Sequence, residues 1–100
     1  MKVEYSREFA RAVEKLSGKI LKSVVAVISE VKAAESILDI TDCKKIETLN
    51  NVYRIRIGDR RAFFVLHVEI DGDIIRFEYL VNRGEAYNRL MLERLRNRDS

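Results

Sequence analysis

The sequence predicts an α+β fold in which an antiparallel sheet packs on an N-terminal helix hairpin, with a further helix at the C-terminus. The sheet is expected to combine an N-terminal strand with three to four strands from the second half of the chain. Residues 51–83 hold three runs of alternating β-branched and aromatic residues, separated by glycine-containing turns. Residues 7–34 instead carry apolar side chains at helical spacing. A length of 100 residues suits a single domain spanning 1–100.

The N-terminal part is predicted to form one strand and two helices. Lys2–Tyr5 alternates and is expected to be an edge strand. Apolar residues recur at helical spacing over 7–16 and again over 19–34, and the Ser17-Gly18 pair ends the first run. A break this short predicts an antiparallel helix hairpin. The valines of the second run leave a buried strand over Val24–Ile28 as the competing interpretation.

The remaining elements follow from the same patterns. Residues 36–43 fit either a loop or a single helical turn, and residues 44–49 are expected to be a strand that leads through a turn into the central region. The strands of that region are predicted over 52–57, 61–70 and 74–81. A final helix is predicted over 85–96, with Tyr87 on its apolar face.

Two turn signals determine the expected register of the central strands. If Gly58-Asp59 and Asp71-Gly72 are both two-residue turns, counting outward from each turn gives the opposed residues. The expected pairs are Ile55–Ala62, Tyr53–Phe64, Leu66–Phe77, Phe64–Tyr79 and Ala62–Val81. All of them fall on one face, which is therefore expected to be the core. The opposite face is expected to be basic and collects Arg54, Arg56, Arg61, Phe63, Val65, His67, Arg76, Glu78 and Asn82.

Charge and cysteine content limit the classes of function. The net charge is +3, and from Asn51 onward every positively charged side chain is an arginine, whose planar fork suits phosphate. Arginines also solvate exposed surfaces, so composition alone leaves an anionic partner and a merely solvated surface equally open. Because Cys43 and His67 are single, no internal disulfide, metal site or cofactor is expected. Without a membrane-length apolar run or a signal peptide, the chain is expected in the cytoplasm.

Two stretches resemble motifs of the RelE/ParE superfamily of bacterial toxin–antitoxin proteins. Residues 53–61 read YRIRIGDRR and match the family pattern Tyr-Arg-x-Arg-x-Gly-Asp-x-Arg at every position. Residues 81–87 read VNRGEAY and loosely match the strand of that family that ends in basic residues before a tyrosine. The similarity extends over the whole chain, because an N-terminal strand and helix hairpin also precede the first motif in that family.

The resemblance to the RelE-like branch implies an enzyme that cleaves messenger RNA within a translating ribosome. The ribose 2′-hydroxyl attacks the adjacent phosphate, and positive charge stabilises the phosphorane that forms. The matching positions imply that Arg61 and Arg83 clamp the scissile phosphate and that Tyr87 orients the 2′-hydroxyl or stacks on a base. Arg54 and Arg56 are implied to hold the flanking RNA backbone or the ribosomal RNA. The implied partners are a cognate antitoxin in a hetero-oligomer, ribosome-bound messenger RNA and ribosomal RNA, with no membrane.

One departure from the family pattern concerns proton transfer. The RelE-like branch has lysines where this chain has Arg54 and Arg56, and arginine is a poor general base because it stays protonated. The base is expected to be Tyr87 or His67, unless proton transfer is left to the ribosome and solvent or the enzyme is slow. The alternatives are a non-catalytic ParE-like protein that inhibits DNA gyrase and an inactive homologue. Tyr87 equally suits an anchor for the last helix, and Arg83 is free only if its strand breaks there.

Overall fold

The computed structural model describes residues 1–99. Its strands are β1 (Lys2–Tyr5), β2 (Cys43–Lys45), β3 (Val52–Ile57), β4 (Arg60–His67) and β5 (Ile74–Asn82). Its helices are α1 (Arg7–Glu14), α2 (Gly18–Ala33) and α3 (Arg89–Arg98), with 3₁₀ turns at Ile37–Asp39 and Arg83–Glu85. The strands form one sheet in the order β1-β5-β4-β3-β2, so the predicted α+β fold is confirmed. None of the helices in residues 1–99 has the length and apolar character needed to cross a bilayer.

The helix hairpin forms where the sequence predicts it, and its start and its turn have local causes. The Ser6 hydroxyl accepts a hydrogen bond from the backbone N of Phe9 at 3.0 Å and caps α1. Gly18 has a φ of 62°, which other residues rarely adopt, and it lets the chain reverse between α1 and α2. The alternative of a strand within α2 is wrong. Burial of Val24 and Val31 in the core outweighs the modest helix propensity of valine.

The first strand corrects one detail of the predicted sheet. β1 pairs with β5 in parallel, from Lys2 opposite Ile74 to Tyr5 opposite Phe77, so the sheet is mixed rather than antiparallel. No tight turn sets the direction of β1, because the helix hairpin and three other strands separate it from β5 in the chain. The chain then crosses to the opposite edge of the sheet, where β2 lies.

The predicted register is correct between β3 and β4 and wrong between β4 and β5. Tyr53 lies opposite Phe64 and Ile55 opposite Ala62, as a two-residue turn requires. In the next pair of strands the structure has Leu66–Ile75, Phe64–Phe77 and Ala62–Leu80 in place of Leu66–Phe77, Phe64–Tyr79 and Ala62–Val81. One cause is that the predicted turn lies inside a longer loop, residues 68–73, which ends β4 at His67 instead of Ile70 while β5 still begins at Ile74.

The other cause is a β-bulge in β5. Phe63 pairs with Tyr79, whereas the next residue of β4 pairs with Phe77, so Glu78 is an extra residue without a partner on β4. Phe77 therefore packs on the side of the helix hairpin, while Tyr79 packs on the opposite side, against the prediction. Val81, which the predicted register also places on the core face, packs on the same side as Tyr79.

Both faces of the sheet carry a hydrophobic core. The core under α1 and α2 includes Phe9, Val24, Val31, Ile55, Ala62, Phe64, Ile75, Phe77 and Leu80. The core between the sheet and α3 comprises the buried residues Leu49, Val52, Phe63, Val65, Tyr79, Ala86, Met91 and Leu95. The face that the sequence predicts to be basic is therefore partly apolar, and we call it the α3 face.

We expect Leu95→Ala to lower the free energy of unfolding by about 2–5 kcal/mol, because Leu95 is fully buried between α3 and the sheet. The matched control is Leu90→Ala in the same helix. The Leu90 side chain is 54% exposed, and its removal should change the free energy of unfolding by less than about 0.5 kcal/mol. Urea denaturation measures both values. Two equally small losses would contradict the packing of α3 on the sheet.

Candidate functional site

A cleft of about 370 Å³ opens beside the edge strand β2. Its lining consists of Lys44, Lys45, Ile46, Glu47, Thr48, Arg54 and Tyr87. Among the site residues inferred from sequence, Arg54 and Tyr87 lie in it. The sequence prediction misses Lys44, Lys45 and Glu47. The signal available for them is the turn pair after residues 44–49, which places that stretch beside β3.

Arg54 lies on β3 between two residues of neighbouring strands. Lys44 is its partner on β2 and Phe63 is its partner on β4. The Arg54 guanidinium is half-buried, and neither it nor the Lys44 ammonium has a hydrogen bond or salt bridge with any of residues 1–99. Two adjacent unpaired cations raise the local positive potential, so this part of the cleft attracts anions.

The end of β2 and the loop that follows it supply further residues that line the cleft. The Nζ of Lys45 donates a hydrogen bond to the carbonyl oxygen of Leu49 at 2.6 Å, which holds the two ends of this loop together. Glu47 is exposed, is the one carboxylate among the residues that line the cleft, and has no salt bridge with any of residues 1–99. The cleft therefore combines cationic hydrogen-bond donors with one anionic acceptor.

Tyr87 lies before α3 and not within it. The helix begins at Arg89, after Asn88 caps it by accepting a hydrogen bond from the backbone N of Met91 at 2.8 Å. The predicted place of Tyr87 on the buried face of a helix over 85–96 is therefore wrong. Its ring is 54% exposed and meets the Phe63 ring edge-on, with 6.4 Å between centroids. The exposed ring is available for stacking on a ligand.

Arg61 is a buried cation without a carboxylate partner in residues 1–99. Its side chain is 8% exposed, and its Nη1 donates to the carbonyl oxygens of Gly58 and Arg60, both at 2.8 Å. Its Nε is buried and has no hydrogen-bond partner in the same residues. A buried charge is costly unless an opposite charge compensates it. An anion bound next to Arg61 would supply that compensation.

The other two predicted arginines are exposed. Arg56 is opposite Arg61 in the sheet and forms a salt bridge with Asp42 at 3.4 Å. Arg83 begins the 3₁₀ turn after β5, so its strand does break there, and its backbone N donates to the carbonyl oxygen of Asp59 at 2.8 Å. Its guanidinium has no partner in residues 1–99. Together with Arg61, these two arginines therefore lie near the β3–β4 turn and outside the lining of the cleft.

His67 lies far from the cleft. It is the last residue of β4 and pairs with Ile74, whereas Phe63 on the same strand lies beside Arg54. At roughly 3.3 Å per residue, His67 is about 13 Å along the strand from Phe63. Within residues 1–99, no group of three or more His, Cys, Asp or Glu side chains is placed to hold a metal ion. The chemistry available in the cleft is that of lysine, arginine, tyrosine and one glutamate.

Comparison with known proteins gives a consistent group of relatives. The chain is 33% identical over 89 residues to Toxin RelE3 of Methanocaldococcus jannaschii, an alignment that covers 88% of this chain and 97% of the relative. The toxin–antitoxin complex RelB–RelE from Methanococcus jannaschii superposes with a TM-score of 0.65 at 28% identity, covering 84% of this chain and 94% of that chain. The archaeal RelE–RelB complex from Pyrococcus horikoshii superposes with a TM-score of 0.66 at 21% identity, covering 85% and 97%, and supports the fold alone. No protein-family model matches the chain.

Cys43, on β2 next to Lys44, is expected to react slowly with alkylating reagents. Burial raises the pKa of its thiol from 9.0 to about 11, and the nearby positive charge of Arg54 opposes this only in part. At pH 8 the folded protein then holds about 100-fold less thiolate than the unfolded chain. Mass spectrometry should therefore find iodoacetamide alkylation about 100-fold slower in the native protein than in urea. Equal rates in the two states would contradict the burial of this thiol.

Proposed function

The chain belongs to the RelE toxins of the RelE/ParE superfamily, and we propose that it cleaves ribosome-bound messenger RNA. The whole chain, residues 1–100, would be one toxin domain. The observation that carries the proposal is the cleft that holds the unpaired Arg54 and Lys44 beside Tyr87 and Glu47. Such a cleft suits a single-stranded nucleic acid, which offers a phosphate for the cations and a base for the aromatic ring.

In the proposed complex the cations bind the backbone of the RNA. Arg54 and Lys44 are paired in the sheet and line the cleft together with Tyr87, and we assign them to the phosphate next to the stacked base. Arg61 and Arg83 keep their proposed role at the scissile phosphate, with Arg56 on flanking RNA. In favour of Arg61 is its buried guanidinium, which two carbonyl oxygens hold in place and for which residues 1–99 supply no counter-charge. A fork held in place loses little entropy when it binds phosphate.

The proposed reaction forms a bond between the ribose 2′-oxygen and phosphorus and breaks the bond to the 5′-oxygen of the next nucleotide. The products are a 2′,3′-cyclic phosphate and a 5′-hydroxyl. We assign Glu47 as the acceptor of the 2′-hydroxyl proton, because it is the one carboxylate among the residues that line the cleft. Lys44 or Tyr87 would return a proton to the 5′-oxygen. Glu47 thus takes the role for which the sequence suggests Tyr87 or His67: His67 lies too far from the cleft, and Tyr87 is assigned here as a proton donor or stacking ring.

A cognate antitoxin is proposed as the second partner. Both superposed structures are complexes of a RelE protein with RelB. We infer that an antitoxin binds this chain in a hetero-oligomer and blocks access to the cationic cleft. Because the proposed substrate is translated messenger RNA, the place of action would be the cytoplasm, and the proposed reaction uses no cofactor.

The first test is inducible expression in bacteria with mapping of transcript 5′ ends. Wild type should arrest growth and produce new cuts inside translated codons. Arg54→Ala should reduce the cutting rate about 100-fold or more, because it removes a positive charge that holds the RNA backbone in the cleft in position for the reaction. Arg11→Ala, which removes an exposed arginine from α1, is the matched control and should leave cutting unchanged.

The other outcomes of this experiment discriminate between the remaining functions. Arrest with intact transcripts would overturn the nuclease proposal in favour of a target such as DNA gyrase. Soluble wild-type protein without arrest or cuts would indicate an inactive homologue. Full cutting by Arg54→Ala would place the site elsewhere on the sheet.

Glu47→Gln tests the proton acceptor separately. We expect cleavage of ribosome-bound messenger RNA to slow about 10²- to 10⁴-fold in single turnover, because the amide cannot take up the 2′-hydroxyl proton. Affinity for the ribosome should stay the same, since the side chain keeps its shape and contributes no cation. Glu14→Gln on α1 is the control with an exposed carboxylate outside the cleft. A wild-type rate for Glu47→Gln would exclude this residue as the base.

A further inference from the structure

The two walls of the cleft belong to different parts of the chain. Residues 44–48 form one wall, at the end of β2 and in the loop before β3, and Tyr87 forms the other, just before α3. The proposed reaction needs Glu47 and Tyr87 on opposite sides of one nucleotide. Their separation therefore depends on what connects the β2–β3 loop to α3.

Asp99, the residue that caps the C-terminal end of α3, makes this connection. Its carboxylate accepts hydrogen bonds from the backbone N of Asn50 at 2.7 Å and from the backbone N of Asn51 at 2.9 Å. Both amides belong to the loop whose earlier residues line the cleft. Charge-assisted hydrogen bonds to two consecutive amides hold the loop against the end of the helix.

Arg98 connects the same end of α3 to the rest of the fold. Its Nη2 forms a salt bridge with Glu8 of α1 at 2.6 Å, and its Nη1 donates to the buried carboxylate of Glu78 in β5. Its guanidinium also lies over the Tyr79 ring, 5.2 Å from the centroid. Arg98 thus holds the helix end on the sheet, and the adjacent Asp99 holds the loop on the helix end.

Contacts within the β2–β3 loop connect its far end, residues 49–51, to the residues that line the cleft. Lys45 bonds the carbonyl oxygen of Leu49, and Leu49 is buried in the core that contains Leu95 of α3. Movement of residues 49–51 away from α3 would therefore displace residues 45–48 as well. A displacement of about 1 Å at a reacting group is sufficient to cost about 100-fold in rate.

We propose that Asp99 and Arg98 are positioning residues that together fix the wall of residues 44–48 relative to Tyr87 and so set the width of the cleft. Neither residue lines the cleft, so they act through the loop and the helix and not on the substrate. The kinetic part of the proposal rests on the proposed nuclease function, whereas the geometric part does not.

Asp99→Ala tests the proposal, with Asp73→Ala as the matched control. Asp73 also accepts a hydrogen bond from a loop amide, that of Glu69 at 3.3 Å, but it lies in the β4–β5 loop away from the cleft. We expect Asp99→Ala to lower kcat for ribosome-dependent cleavage about 10- to 100-fold with KM changed less than about twofold. Asp99→Asn, which keeps one acceptor oxygen, should lose less, and Asp73→Ala should keep the wild-type kcat.

Nuclear magnetic resonance provides a readout that does not require activity. In Asp99→Ala the Asn50 and Asn51 amides should exchange faster with solvent, and the signals of Tyr87 and residues 44–48 should shift or broaden. In Asp73→Ala they should match wild type. A wild-type protein that does not cleave would refute the proposed function, and these signals would still decide the positioning role. The positioning role would be overturned if the cleft signals were unchanged in Asp99→Ala, or if both variants lost kcat equally.

Discussion

The arrangement of both cores depends on one extra residue in β5. The bulge at Glu78 changes the side on which the following side chains lie, so Phe77 packs under the helix hairpin while Tyr79 packs under α3. The Glu78 carboxylate lies on the α3 face, as alternation from Phe77 predicts, and is 3% exposed and bonded to Arg76 and Arg98. A buried carboxylate needs such partners. The bulge therefore places Tyr79 and Val81 in the apolar surface on which α3 packs, beside the Glu78 carboxylate that anchors α3 through Arg98.

Among the arginines of the second half, some have a structural role and others are available to an anionic partner, so both interpretations that composition leaves open apply. Arg76 and Arg98 are structural, because buried Glu78 pairs with both. The guanidinium groups of Arg54 and Arg83 have no hydrogen bond or salt bridge with residues 1–99, and Arg61 is buried without a counter-charge in the same part of the chain. Net charge cannot separate these groups, since each residue contributes the same formal charge. The distribution of carboxylates around the fold separates them.

The parts of the fold that the sequence predicts well are those determined by local contacts. The β3–β4 register follows from a tight turn, and the helix hairpin follows from periodicity and the Ser17-Gly18 break. The β4–β5 register does not, because the Asp71-Gly72 turn lies inside a longer loop and the bulge at Glu78 has no signature in the residues around it. The direction of β1 is likewise set by tertiary packing, which periodicity does not encode.

The candidate site also contains residues that the sequence predicts and residues that it does not. Arg54 and Tyr87 come from the recognised motifs, and the structure places them in one cleft. Lys44 and Glu47 belong to a stretch without a motif, and their proximity to Arg54 depends on a loop between β2 and β3 that sequence alone does not measure. The burial of Arg61 is also invisible in the alternation of β4, because it depends on the carbonyl groups of the β3–β4 turn.

The parallel pairing of β1 with β5 limits how early the protein can complete its fold during synthesis. The Ser6 hydroxyl at the end of β1 donates to the carbonyl oxygen of Glu78, which is 72 residues later in the chain. At synthesis rates of 5–20 residues per second, the first strand waits roughly 4 to 14 s for its partner to be made. Contacts between such distant residues also slow folding after synthesis. The cleft likewise cannot form until Tyr87 has been made, because its lining joins that residue to residues 44–48, so it is a late feature of the nascent chain.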